Sequence, residues 1–392
     1  MRHKSFVLMI AVSGSLACGV RDSPPGRAPA ETRAHAVNSP GTAATLRYAG
    51  EYRFATPGRR YEFPRDHASH PEFQSEWWYY TGQLASGRRA FGYQLTIFRV
   101  GLDRTRAASV SAWAPHTVYF AHLAVTDVEG RRYVSAQRVS RPALGLAGAD
   151  TARYRAWVGD WTSELSADGI AHRVRAATDS FGLDLRLDPL KPPVIHGRDG
   201  VSRKAAGEGH ASHYVSITRL ATRGRLFVAG DTLPVVGESW MDHEFGTSQL
   251  GPDQIGWDWF SLQLDDGREL MLYVLRRRDG SIEPLSSGTL VERDGRVRHL
   301  ERGEFSIETL AHWASRQSGG RYPARWRIRI PALELELAVE PRLADQELRT
   351  PAPIALAYWE GAVQLRGTAQ GRRVGGFGYV ELTGYAGPLP GF

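Results

Sequence analysis

EWWYYTGQLASGRRAFGYQLTIFRV, residues 76–100, sets two runs of aromatic and branched aliphatic side chains on either side of Ser86-Gly87. Trp77–Leu84 and Ala90–Val100 read as two strands joined by a tight turn, a β-hairpin. The same texture continues down the chain. Trp259–Leu264 and Glu269–Arg276 turn at Asp265-Asp266-Gly267, and Gly361–Gly367 is followed by Phe377–Thr383. Arg325–Ile330 and Leu333–Val339 alternate charged and aliphatic residues around Pro331, the period of a half-buried strand. No long amphipathic helix emerges; Val201–Ala206 and Ile307–Ser315 are the short helical candidates. Many short strands with few helices predict a barrel or a sandwich. A propeller would need a repeat of roughly 40 to 50 residues, and none is found. A coarser echo is present. Glu76-Trp77-Trp78-Tyr79 opens one set of hairpins, and Trp257-Asp258-Trp259-Phe260 opens another about 180 positions later. Duplication of one barrel would produce the echo, and so would chance clustering of aromatics.

The bulk properties bound the function. The chain has 392 residues, 42% hydrophobic and 23% charged, which is ordinary globular usage and enough for two cores. A net charge of +7 invites a nucleic-acid reading. The arginines, however, come in ones, twos and at most threes among Asp and Glu and form no basic run of five to eight residues, so a nucleic-acid partner is excluded from the expectations. Arg2, His3 and Lys4 precede an apolar run, Phe6–Val12, with the shape of a signal peptide and too short for a membrane span. Cys18 is the sole cysteine, so no internal disulfide can form. Following Leu16-Ala17, it resembles the lipidated cysteine of a bacterial lipobox, with Ser15 where Leu is usual; a plain signal peptide cleaved near Ala17 is the other reading. Residues 19–45 are rich in Pro, Ala, Arg, Ser, Gly and Thr and read as a tether. The expected organisation is a leader over 1–18, a tether over 19–59, and barrels over 60–249 and 250–392. The expected location is periplasmic or anchored at the outer membrane through acylated Cys18, and otherwise secreted.

Two segments are dense in acids, imidazoles and large aromatics: His67–Gly82 and Gly237–Gly246. A carboxyl pressed against apolar walls loses hydration, so its pKa rises and it can act as a general acid near neutral pH. Aromatic faces can stabilise a developing carbocation. Packing of barrel ends by Trp and Tyr is the competing explanation. Asp242-His243-Glu244 cannot all ligate one ion from a strand, because neighbours face opposite ways, and His67 with His70 lacks a third ligand at a recognised spacing. No metal is therefore expected. Hydrolase, Walker and dinucleotide motifs are missing; Gly237-Glu238-Ser239-Trp240-Met241 fails the nucleophile elbow at its last position.

At these segments the sequence resembles the AttH/carotenoid 1,2-hydratase family. The resemblance is carried by Pro64–His67, His70–Phe73, Glu76–Gly82, Gly237–Gly246, Gly256–Phe260, Tyr358–Gly361 and Gly378–Tyr385. It implies an all-β fold of two consecutive lipocalin-like barrels and, in the hydratase members, cofactor-independent addition of water to a terminal isoprenoid double bond. The hydratase pattern is His-x-Trp, then Tyr-x-Asp beginning 27 positions after the His. It places His213 at the His and Asp242 at the acid, with Val215 and Trp240 at the Trp and Tyr positions. The expectations that follow are a large apolar isoprenoid or lipid ligand, no cofactor, and Asp242, His213 and Trp240 as the catalytic group. Glu76, Trp77, Trp78, Tyr79, Trp257 and Trp259 are expected to line the ligand site. A non-catalytic carrier, and a secreted hydrolase using Ser239 with Asp242-His243, are the alternatives.

Overall fold

The structure is a computed structural model that describes residues 52–102, 116–247 and 250–387. The leader, Cys18 and the greater part of the tether lie outside the described residues. Two antiparallel sheets, each curled into a near-barrel, make up the fold. Both are built from the predicted hairpins. Ser75–Ser86 pairs with Arg89–Gly101, Gln254–Leu264 with Glu269–Arg277, Arg321–Ile330 with Leu335–Pro341, and Ala357–Ala369 with Arg372–Leu382. The two segments considered for helix are not helical. Ser306–Ala314 is a strand paired with Arg321–Ile330, and Ser202–Arg203 is a short strand on Ala211–Val228. In Ser306–Ala314 the wet and half-buried positions alternate with period two, and short range alone did not separate that from a helical stripe.

The echo between the halves has a topological counterpart. In the first sheet, Ser75–Ser86 lies between Arg89–Gly101 and the sheet's last strand, Asp231–Thr247. In the second, Gln254–Leu264 lies between Glu269–Arg277 and the last strand, Arg372–Leu382. Trp77 and Trp259 thus open equivalent strands of two similarly wound sheets.

Neither sheet closes by hydrogen bonding among the described residues. The first path runs from Arg132–Ser140 to Ala147–Ala149, and the second from Val297–Glu301 to Ser306–Ala314. Each interior is filled with side chains. Trp78, Tyr80, Phe91, Tyr93, Leu95 and Trp161 belong to the first core, and Phe260, Leu272, Trp326, Ile328 and Trp359 to the second. A third cluster joins the outer faces of both sheets and contains Tyr79, Tyr214, Trp240, Trp259, Tyr273, Ala362 and Tyr379. This junction explains why the strands that reach it are buried on both faces: Ser75–Ser86 shows an almost continuous buried run with little alternation.

Gly92 lies at a close approach of the two sheets. A Cβ there would lie 2.6 Å from the Ala362 Cβ, so only glycine admits this contact without displacement. Polar ties flank it. Thr126 donates to Gln346 (2.7 Å), Gln83 to the Gly378 carbonyl (3.0 Å), and His122 pairs with Tyr358 (2.7 Å). Arg219 and Lys191 both bind the fully buried Glu269, at 2.6 and 2.7 Å.

Candidate active site

A cavity lies between the two barrels. It encloses about 980 Å³ of atom-free space, part of it open to solvent. The barrel interiors are not available because the two cores occupy them. Strand parity decides which residues reach the cleft. On Ser75–Ser86, Trp77 and Tyr79 face it; on Asp231–Thr247, Asp242 and Glu244 do. Trp257 and Trp259 come from the second sheet, with Tyr273, Glu360 and Glu381.

Two expected ligand contacts are corrected by the same parity. Trp78 points into the first core, stacks on His243 with centroids 5.0 Å apart, and donates its indole N–H to the His67 carbonyl at 2.9 Å. Glu76 is buried beneath the strand. Its carboxylate accepts from Arg99 Nε (2.9 Å), Ser69 Oγ (2.6 Å), the His70 amide (2.9 Å) and His243 Nε2 (2.9 Å). Burial works to raise its pKa, but Arg99 and the two histidines hold it well below the usual range. His70, Glu76 and His243 do bring three candidate metal-ligand atoms together, a grouping that sequence spacing did not show. Its chemistry suits an ion pair better than a metal. Arg99 already neutralises Glu76, and both His70 nitrogens are engaged, one with Glu76 and one with Asp66.

Asp242 lies on the cleft wall, 3% exposed. Tyr214 Oη donates to its Oδ2 (2.7 Å), and Trp240 Nε1 (2.6 Å) and Ser216 Oγ donate to its Oδ1. Desolvation drives its pKa up; the three donors pull it back, and the nearby Glu244 charge pushes it up again. The balance leaves it at about 7, poised to exchange a proton at neutral pH. Trp240, expected beside the acid, is therefore one of its direct partners.

His213 is not. It projects from the opposite face of Ala211–Val228, where its Nδ1 meets Tyr61 Oη (3.0 Å) and the Gly200 carbonyl (3.1 Å). The residues of that strand which do reach Asp242 are Tyr214 and Ser216. A register one residue away exchanges the two faces of a strand, so a spacing match along the sequence did not fix the contact. Burial lowers the His213 pKa to about 4. The histidine connected to the acid is His196, which sequence reading missed. Its Nε2 lies 2.6 Å from Ser216 Oγ and its Nδ1 2.8 Å from Thr289 Oγ1. Since the serine hydroxyl donates to Asp242, it accepts from an Nε2–H, and in the neutral ring Thr289 is then the donor to Nδ1. Burial lowers its pKa to about 3, in keeping with that state.

The second sheet closes over this group. Trp259 Nε1 donates to Tyr214 Oη (2.9 Å), and the Trp259 ring meets Tyr79 edge-on, centroids 5.2 Å apart. Lys204 binds Glu244 (3.0 Å) and lies over the Tyr214 and Tyr273 rings. Trp257 Nε1 donates to Glu381 (3.0 Å), whose pKa burial raises to about 7. Glu360, cross-strand neighbour of Glu381, is pushed well above its usual range by burial and by the Glu381 charge. Neither glutamate was singled out from the sequence, although both stand inside the C-terminal motifs quoted above. Ser239 is remote from all of this: it faces the first core and bonds Tyr93 and Thr222, each at 2.7 Å. With Asp242 and Ser239 on opposite faces of one strand, the hydrolase triad has no geometry.

A search of curated protein sequences gives no significant match. Among solved structures, an AttH protein from Nitrosomonas europaea is 32% identical, with a TM-score of 0.77 over 85% of this chain and 99% of that one. Kievitone hydratase from Nectria haematococca shares the fold at 15% identity, with a TM-score of 0.64 over 86% of this chain and 99% of its own. CghA is similar at 14% identity, with a TM-score of 0.50 over 81% of this chain and 89% of its own. The AttH-like family profile matches residues 54–385, so the chain belongs to the AttH-like family.

Proposed function

We propose that the protein binds a large apolar isoprenoid or lipid in the cleft between its barrels and hydrates a carbon–carbon double bond by acid catalysis. The observation that carries this reading is Asp242, a buried carboxyl with a pKa of about 7 on the wall of an aromatic cleft. Asp242 gives its proton to one alkene carbon, forming a C–H bond and leaving the cation on the other carbon. Trp77, Trp257, Trp259 and Tyr79 line the cleft, and an aromatic face turned to that cation stabilises it. The carboxylate formed is stabilised by the donors already aimed at it from Tyr214, Trp240 and Ser216. Water adds to the cation, and the proton it releases restores the acid. One protein of the same fold is named a hydratase, which supports the scaffold's capacity for such chemistry. Export, and anchoring through Cys18, belong to the same proposal and rest on the N-terminal sequence alone.

The test is turnover of acyclic isoprenoid alkenes by wild type and Asp242→Asn, with binding measured alongside. The variant should bind as wild type does and lose hydration by at least about 100-fold, the usual worth of a general acid. A wild type that binds every alkene offered and hydrates none is a carrier, the second reading, in which the aromatic lining alone accounts for the cleft.

A further inference from the structure

The cleft holds polar atoms that the proposed chemistry does not use. Glu360 is 1% exposed, and neither of its carboxyl oxygens has a hydrogen-bond partner among the described residues. The hydroxyls of Tyr79 and Tyr379, on residues 6% and 1% exposed, also lack an aligned partner there, Tyr79 standing near Glu360 and Tyr379 near Thr126. An unmade hydrogen bond on a buried group is costly, so several in one place call for an occupant. They are in one place. Ala362 and Tyr379 are cross-strand partners next to the Glu360–Glu381 pair, and the Glu360 charge acts on Tyr79, Tyr379 and Tyr133 alike. Tyr79 and Tyr358 stand near the Glu360 carboxyl, but without an aligned hydrogen bond, and the Tyr358 hydroxyl is already held by His122. Tyr79 and Glu360 both line the cleft. Asp242, by contrast, has its oxygens filled by its own three donors.

We propose that Glu360 and Tyr79 form a polar subsite on the cleft wall, adjoined by Tyr379, that takes a neutral hydroxyl of the ligand, so that the substrate is an apolar skeleton bearing an alcohol or phenol in addition to its reacting double bond. The inference rests on the reading of the cleft as a site for an apolar alkene. A hydroxyl both donates and accepts, which suits a group made of two phenols and a carboxyl. Burial and the Glu381 charge both push the Glu360 pKa up, which favours its neutral form, with one donor and one acceptor, over a full negative charge. An anionic headgroup would meet the Glu381 carboxyl, and the lysine of the cleft lining, Lys204, is already committed to Glu244.

Geraniol and myrcene, acyclic terpenes with and without a hydroxyl, separate the possibilities. Their affinities for the full chain can be measured by calorimetry for wild type, Glu360→Leu, Tyr79→Phe and Tyr379→Phe. Glu360→Leu should weaken geraniol about tenfold or more, and each Tyr→Phe change several-fold, while myrcene affinity stays level or rises. The phenylalanine variants keep ring volume and carry the test if Glu360→Leu does not fold. If myrcene binds and no variant distinguishes the two terpenes, the polar atoms hold only water and the subsite is overturned, with the apolar cleft left standing. If neither terpene binds wild type, the cleft reading fails and the subsite with it. Tighter binding of geranylamine than of geraniol, lost in Glu360→Leu, would assign the subsite to a cation and overturn the hydroxyl.

Discussion

At the scale of single residues, the acids of this protein divide by their neighbours rather than by their depth. Glu76 and Asp242 are both buried, yet one is held ionised by Arg99 and the other is driven towards its neutral form. Glu76→Gln leaves the Arg99 guanidinium buried without its counter-charge and should cost about 3–5 kcal/mol in chemical denaturation. The pH dependence has a definite sign. Because the folded pKa of Glu76 is depressed, its contribution is complete above the unfolded carboxyl pKa, and it is lost as pH falls through the folded value. Wild type should therefore lose stability in acid more steeply than Glu76→Gln, and parallel curves would contradict the ion-pair account. Chemical type was legible in the sequence at these positions, but environment was not. Arg99 lies 23 residues from Glu76, and His243 lies 167 residues away, brought in by pairing of the sheet's first and last long strands. His196 went unseen for the same reason: its link to Asp242 passes through Ser216 and exists only after folding.

At the scale of elements, the hairpins were readable because turn residues and β-rich runs are local signals. The faces of the strands were not. Sequence patterning tells inside from outside when one face is wet, and Ser306–Ala314 and Arg321–Ile330 show that alternation. Ser75–Ser86 and Asp231–Thr247 are covered on both faces where they reach the junction, so Glu76 and Trp78 look no different from Trp77 and Tyr79 until the partner sheet is in place. Gly92 tests that junction. Gly92→Val inserts a branched side chain where a single Cβ would already be 2.6 Å from Ala362. The variant should lose about 1–3 kcal/mol, the usual cost of overpacking, and should also weaken ligand binding by shifting Tyr79 against Trp259. Unchanged stability and affinity would mean that the two sheets do not meet as described.

At the scale of the whole molecule, the two barrels behave as halves of one site. The first supplies Asp242 and its donors, and the second supplies Trp257, Trp259 and Tyr273 that cover it. An apolar cluster and the buried ties of Glu269 to Arg219 and Lys191 join them. A protease nick between residues 247 and 254 should therefore leave the halves associated through size-exclusion chromatography, whereas separation into two folded pieces would make the interface weaker than its burial implies. The raised pKa of Asp242 is a property of this assembly, because either barrel alone would leave that carboxyl wet. Titration of the Asp242 carboxyl, followed by carbon-13 NMR of aspartate-labelled protein and assigned by its loss in Asp242→Asn, tests the account most directly. The expected midpoint is about 7; a midpoint near the ordinary aspartate value of about 4 would contradict both the burial of that carboxyl and the acid mechanism.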